Sequence, residues 1–297
     1  MPVPKAVMKN ALPAMAAMLM VLVYNLADTF FIGQTHNALL VAAVSLATPV
    51  YLIFMSIGTL FGIGGTSVIS RALGEGKKEK ARKSCAFCFW GCVFVGILLV
   101  AFILIFIDPI LNLIGASADT YEYAKSYLSI IVFAGPFVLI SNCYGNVIRT
   151  EGESGKAMLG LLLGNLVNVI LDPIFILALG LDIKGAAIAT VIGNIVGAGF
   201  YISYFLKGKS MLSIRLKDFT VKQGIAASVL AIGVPAALGD ALMSVSHIIS
   251  NSQMAHYGDM AVVGMTGLVW AQPVADVLSI LIAAILFRKT MKKMQIM

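Results

Sequence analysis

The sequence predicts an all-α fold: a polytopic bundle of about eight transmembrane helices, with a six-helix first lobe and an incomplete second lobe. Three observations predict it. Only 12% of the 297 residues are charged and 60% are apolar, whereas a soluble domain carries about 25% charged residues. Apolar stretches recur along the chain, each about the 20 residues that a hydrocarbon core requires. Of the 21 Lys and Arg residues, 19 fall at the N-terminus, in alternate loops or in the tail.

The spans are read in order as 11–33, 42–68, 85–107, 122–148, 157–180, 185–206, 224–254 and 262–287. Lys5 and Lys9 precede the first, which is a full span followed by others, so it reads as an anchor rather than a cleaved signal. The first loop holds Gln34 and His36 and no basic residue. The second holds Arg71, Lys77, Lys78, Lys80, Arg82 and Lys83. The third holds Asp108 and Asp119, the fourth Arg149 and Lys156, the fifth Lys184. Lys207, Lys209, Arg215, Lys217 and Lys222 crowd the sixth, the seventh has none, and Arg288, Lys289, Lys292 and Lys293 close the chain. This positive-inside pattern puts both termini in the cytoplasm of a plasma-membrane protein. The net charge of +7 therefore sets orientation, with contact to anionic membrane lipids as a second effect. It does not point to nucleic acid.

Leu12-Pro13-Ala14 opens the first span and Val234-Pro235-Ala236 the seventh. Both enter from the cytoplasmic side, as expected of a parallel repeat. The chain divides into a first lobe over 1–206, a basic cytoplasmic linker over 207–223, and a truncated second lobe of about two spans over 224–297. In "GMTGLVWAQPVAD" (264–276) one apolar pattern runs into another without a loop. That predicts a junction near Thr266, where a longer chain has lost a block.

Cys85, Cys88 and Cys92 lie on one face of the third span and read as small packing residues. Gly58/Gly62, Gly160/Gly164 and Gly193/Gly197 have the spacing that lets helices approach closely in lipid. "GIGGTS" (62–67) and "GEGKK" (74–78) lack the Gly-Lys-Ser/Thr of a phosphate loop, so no ATP hydrolysis is expected.

The chemistry lies in polar residues inside the spans. Asn165, Asn168 and Asp172 are three and four apart and stripe one face of the fifth span. Pro173 has no N–H and frees a backbone carbonyl, so the helix kinks there. Asn25 and Asp28 form a matching pair on the first span, and Thr190 and Asn194 on the sixth. At about 1.5 Å per residue, Asp28, Asp172 and Thr190 lie roughly 8, 12 and 9 Å from the outer ends of their spans. They therefore share one height in the outer half of the membrane. Carboxylates, amide oxygens and a hydroxyl are hard ligands suited to Na⁺ or a proton. A charge inside a span costs roughly 2.5 to 3.5 kcal/mol on insertion scales, so intramembrane acids mark ion or substrate paths. Dehydration favours the neutral, cation-loaded state, which is the physics of a coupling site. Asp240, five residues after Pro235, is expected to face the same cavity from the second lobe. His247 and His256 have no partner spacing.

"NLADTFFIG", "SRALGEGKKEKAR" (70–82), "RTEGESGKAM" (149–158), "NVILDPIFILALGLDIKGAAIATVIG" (168–193) and "AQPVADVLSILIAAILF" (271–287) together resemble the multidrug and toxic compound extrusion (MATE) family. The resemblance implies two six-helix lobes around a V-shaped cavity that opens to either face in turn. It implies export of cationic or amphipathic drugs, driven by inward Na⁺ or H⁺, with no other cofactor. It also implies that Asp28, Asn168, Asp172 and Thr190 hold the cation; from their placement in the spans, Asn25, Asn165, Asn194 and Asp240 are expected as further cavity residues.

The expected function is secondary active multidrug efflux in exchange for Na⁺ or H⁺. The alternatives are a lipid-linked sugar flippase of related architecture and a non-transporting fragment of a longer exporter. A membrane hydrolase using Asp28 and Asp172 as an acid pair lacks any accompanying catalytic motif, so no enzyme activity is expected.

Overall fold

The computed structural model describes residues 15, 19–24, 26–28, 30–35, 37–208, 210–222 and 224–255. Among these the chain is helical and holds no strand. The helices are α1 (Leu19–Gly33), α2 (Ala38–Gly74), α3 (Lys78–Ile105), α4 (Ile107–Leu113), α5 (Tyr121–Ile131), α6 (Gly135–Thr150), α7 (Ser154–Asp172), α8 (Asp182–Leu206) and α9 (Ile225–Ala255). Six segments are long and apolar enough to cross a membrane, with Tyr121–Thr150 counted as one and Ser154–Ala178 as another; α1 is a shorter apolar helix. These seven segments overlie the first seven spans expected. The eighth span and the junction near Thr266 lie outside the described residues.

The helices run past the bilayer into water. Lys78, Lys80, Arg82 and Lys83 stand on the first turns of α3 rather than in a loop. Only Glu75–Lys77 separates α2 from α3, and Gly76 turns it at φ 71, a conformation that favours glycine. On the membrane-facing side of α3, Phe94, Ile97, Leu98, Phe102 and Ile105 are exposed, as lipid contact requires.

The fifth span changes its winding where Pro173 stands. α7 stops at Asp172, and Pro173–Ala178 winds as a wider π turn. Leu179 N donates to Ile174 O at 2.9 Å across that turn. Proline supplies no N–H to continue the α ladder, and the wider winding re-pairs the carbonyls beyond it.

Lipid tails are as apolar as leucine, so tight packing and polar contacts hold these helices together rather than water exclusion. An alanine Cβ at Gly164 would stand 2.9 Å from Gly193 O, and one at Gly193 would stand 2.7 Å from Gly164 O. The glycines bring the α7 and α8 backbones together. α2 and α9 pair antiparallel. Ser244 Oγ donates to Pro49 O at 2.8 Å, Ser56 Oγ to Ala237 O at 2.9 Å, and Gly233 lies against the Leu60 carbonyl. Cys85, Cys88, Cys92 and Cys143 are buried and free. Tyr144 donates its hydroxyl to Cys85 O at 2.8 Å and packs edge-on against Phe89 and Phe205, closing the core on the side of the basic loops.

The linker crosses that side as a strap. Leu212, Ser213 and Ile214 are buried, and Trp90 Nε1 donates to Ile214 O at 3.2 Å. Glu151 anchors the strap's start, accepting from Ser210 Oγ at 2.7 Å, Met211 N at 3.1 Å and Tyr204 Oη at 3.0 Å.

Candidate cation and substrate site

The glycine contact of α7 with α8 places Asn168 opposite Thr190, with Asp172 at the end of α7 just before the π turn. All three are buried, Asp172 fully. One end of the Asn168 amide lies 3.1 Å from Thr190 Oγ1. The other lies 3.1 Å from Asp172 Oδ2. An amide has one donating and one accepting end, so its orientation follows the charge on Asp172. With Asp172 ionised, the NH₂ end faces the carboxylate and the carbonyl accepts from Thr190 Oγ1. With Asp172 protonated, the acid donates to the carbonyl and the NH₂ end donates to Thr190 Oγ1. That hydroxyl in turn donates to Ala186 O at 3.0 Å.

Asp28 approaches from α1. It and Asp172 lie within electrostatic reach of each other, and Tyr127 on α5 senses both. Tyr24 lies beside Thr190 and Tyr51 beside Asn194, while Asn194 Nδ2 donates to Thr190 O at 2.8 Å. One oxygen of each acid, Asp28 Oδ1 and Asp172 Oδ1, is buried without a hydrogen-bond partner. An unpartnered buried acceptor is costly, and a proton or small cation bound at either carboxylate would relieve it. Two carboxylates, an amide carbonyl and a hydroxyl form a hard-oxygen set that fits such an ion.

Beside these groups opens a cavity of about 510 Å³. Asn165, Asn168, Thr190 and Asn194 line it; Asp28 and Asp172 stand behind that wall. Ser141 and Asn165 are lining residues whose Oγ and Nδ2 atoms are buried without a hydrogen-bond partner. Asn25 lies outside the described residues.

Asp240 does not line the cavity. The antiparallel register of α9 turns it toward α2, where Thr59 Oγ1 donates to its Oδ2 at 2.8 Å. It reaches the cavity only indirectly: Asn142 Nδ2 donates to Met55 O at 3.2 Å and to Thr59 Oγ1 at 3.4 Å, and Asn142 is a lining residue. Sequence reasoning overlooked the rest of that wall. Asn142, Asn146 and Arg149 all line it, and their spacing of four and three is the polar stripe that marked the fifth span. Arg149, assigned above to a loop, is the only charged residue on the lining among the described residues.

The family described as MatE matches residues 13–174, more than half of the chain. This chain belongs to the MATE family. Members are transporters, not enzymes, and the MATE chain described here is a multi-pass membrane protein. It is 33% identical over 261 residues to the multidrug export protein MepA of Staphylococcus aureus, covering 88% of this chain and 58% of that protein. MepA of Staphylococcus haemolyticus is also 33% identical, over 258 residues. Among solved structures, an inward-facing multidrug resistance MATE transporter superposes with TM-score 0.80 at 26% identity, covering 92% of this chain and 62% of that one. An outward-facing MATE structure superposes with TM-score 0.81 at 28% identity, covering 93% and 61%. The chain thus spans about 58% of the length of the curated relatives it matches.

Proposed function

We propose that this MATE chain takes part in the export of cationic or amphipathic small molecules in exchange for inward Na⁺ or H⁺. Asp28, Asn168, Asp172 and Thr190 form the coupling site and the adjoining cavity forms the first-lobe wall of the substrate path. The observation that carries this reading is the shared amide: Asn168 spans from Asp172 to Thr190 while one oxygen on each of Asp28 and Asp172 stays unpartnered. An entering cation neutralises the acids. Asp172 and Thr190 then exchange roles around the Asn168 amide, and Asn168 and Thr190 are also cavity-lining residues. Cation loading is thereby felt on the substrate side of the same wall. The membrane potential adds about 2.3 kcal/mol per charge per 100 mV.

The likeness to MepA supports a multidrug substrate range. A sugar-lipid flippase gains little from the cavity, whose only charged lining residue among the described residues is Arg149. Dye efflux from everted vesicles, with and without a Na⁺ or pH gradient, tests the proposal. Gradient-dependent flux abolished by Asp172→Asn is the expected result. Normal insertion with no flux in the unmutated chain would leave the non-transporting fragment as the reading.

A further inference from the structure

A second, smaller cavity of about 220 Å³ lies far from the acids, between the linker strap and the ends of α3 and α8. Arg82 and Arg215 line it, with Ser210, Ser213 and the backbone at Gly208. Arg82 donates one hydrogen bond, to Asp218 at 3.2 Å, which leaves other guanidinium donors. Among the described residues Arg215 makes no ion pair. The cavity has a fixed floor, because Leu212, Ser213 and Ile214 are buried and Trp90 holds the strap by its Ile214 carbonyl.

Around this basic cup the apolar side chains point outward. Leu206 is 67% exposed, Met211 60% and Leu216 63%. Leu206 and Met211 also line the cavity. A water-facing pocket would gain nothing from such a rim, whereas a bilayer interface would cover it. Lys207 and Lys217 add to the positive field of the same segment. Guanidinium groups match the geometry of a phosphate with paired N–H donors, and basic pockets at this face of a membrane protein suit anionic headgroups.

We infer that this cavity binds the phosphate of an anionic phospholipid, held by Arg215 and Arg82 beneath the linker, with its acyl chains along Leu206 and Met211. A free phosphate ion would satisfy the same arginines but would leave the apolar rim uncovered.

Trp90 is the internal probe, because it touches the strap. The full-length chain carrying Trp270→Phe is reconstituted in phosphatidylcholine vesicles containing brominated phosphatidylglycerol or, separately, brominated phosphatidylcholine. Brominated phosphatidylglycerol is expected to quench Trp90 at a roughly tenfold lower mole fraction. Arg215→Gln is expected to erase that preference, and Lys222→Gln, on the linker but off the cavity lining, to keep it. Arg215→Lys, which keeps the charge without the paired donors, is expected to reduce the preference and guards against a Gln variant that does not insert. Equal quenching by the two lipids overturns the inference. So does an equal loss in Lys222→Gln, which would reveal general attraction to a basic surface, or a preference unchanged by Arg215→Lys. Abolition of the preference by millimolar inorganic phosphate would assign the cup to a free anion and overturn the lipid assignment.

Discussion

The Asn168 side-chain amide and Thr190 Oγ1 meet at 3.1 Å across the seam between α7 and α8. The contact spans 22 positions of sequence and depends on two features of quite different kind. The π turn at Pro173 ends α7 at Asp172, and the glycine pair Gly164 and Gly193 lets the backbones approach until an amide and a hydroxyl touch.

Thr190→Val keeps the side-chain shape and removes the hydroxyl. If Thr190 helps hold the coupling ion, a ligand worth about 1.5 to 3 kcal/mol is lost. Because 1.4 kcal/mol is tenfold, half-saturation for radiolabelled Na⁺ on the purified chain, or for protons in gradient-driven flux, is expected to rise roughly tenfold to hundredfold. A change within twofold for both ions would remove Thr190 from the site.

The same seam predicts a stability difference between two glycines of one helix. A Cβ at Gly193 would stand 2.7 Å from Gly164 O and 3.0 Å from Asn168 Cβ, so α7 and α8 must separate. Nothing lies within 4 Å of a Cβ at Gly199. Gly193→Ala is expected to cost about 1 to 3 kcal/mol by overpacking and to lower the melting temperature in detergent by several degrees. Gly199→Ala is expected to leave it unchanged or raise it, since alanine favours helix over glycine. Equal melting of the two variants would mean the seam does not hold the bundle together.

Arg149 sets an asymmetry in the cavity. Among the described residues it is the one charged side chain on a lining otherwise built of amides, hydroxyls and apolar groups. A xanthene dye with a free carboxylate is therefore expected to bind Arg149→Gln about fivefold to tenfold more weakly than the unmutated chain, through loss of a charge-assisted contact. Its methyl ester is expected to bind both within twofold. Fluorescence anisotropy on the solubilised protein reads the two affinities, and a parallel fall for acid and ester would point to a general collapse of the wall.

Much of this architecture was legible in the sequence because lipid imposes simple rules. Length and apolarity mark α2, α3, α7, α8 and α9 and the combined α5 and α6, though not the short α4, which falls in the expected third loop; an ionisable group amid apolar residues marks Asp28 and Asp172. The i, i+3 and i, i+4 spacings that set Asn168, Asp172 and Thr190 on single faces, with a depth count at 1.5 Å per residue, are what pointed to their meeting. What escaped were features that depend on how neighbouring helices rotate about their axes. Asp240 sits at a suitable depth, yet the antiparallel register of α9 on α2 turns it to Thr59. Tyr24 and Tyr51 line the cavity beside the site, but a tyrosine in an apolar span carries no signature that separates it from a packing residue. The charges of α3 also misled, because a helix continues past the membrane and its basic first turn reads as a loop.

The strap offers a prediction in pH. Asp218 accepts a hydrogen bond from Ser213 and pairs with Arg82, and these hold its carboxyl below the usual carboxylate value. A depressed group contributes stability that is complete above its ordinary value, about 3.9. That contribution is lost as pH falls through the folded value below it. Strap docking is therefore expected to be constant from about pH 7 to 5 and to weaken only below about pH 4. Trp90 reports it, since its indole donates to Ile214 O in the strap, and Trp270→Phe isolates its emission. Asp218→Asn has no charge to lose and is expected to shift Trp90 emission at neutral pH while flattening the acid transition. An acid transition of the same size in Asp218→Asn would assign the strap's pH response to another group.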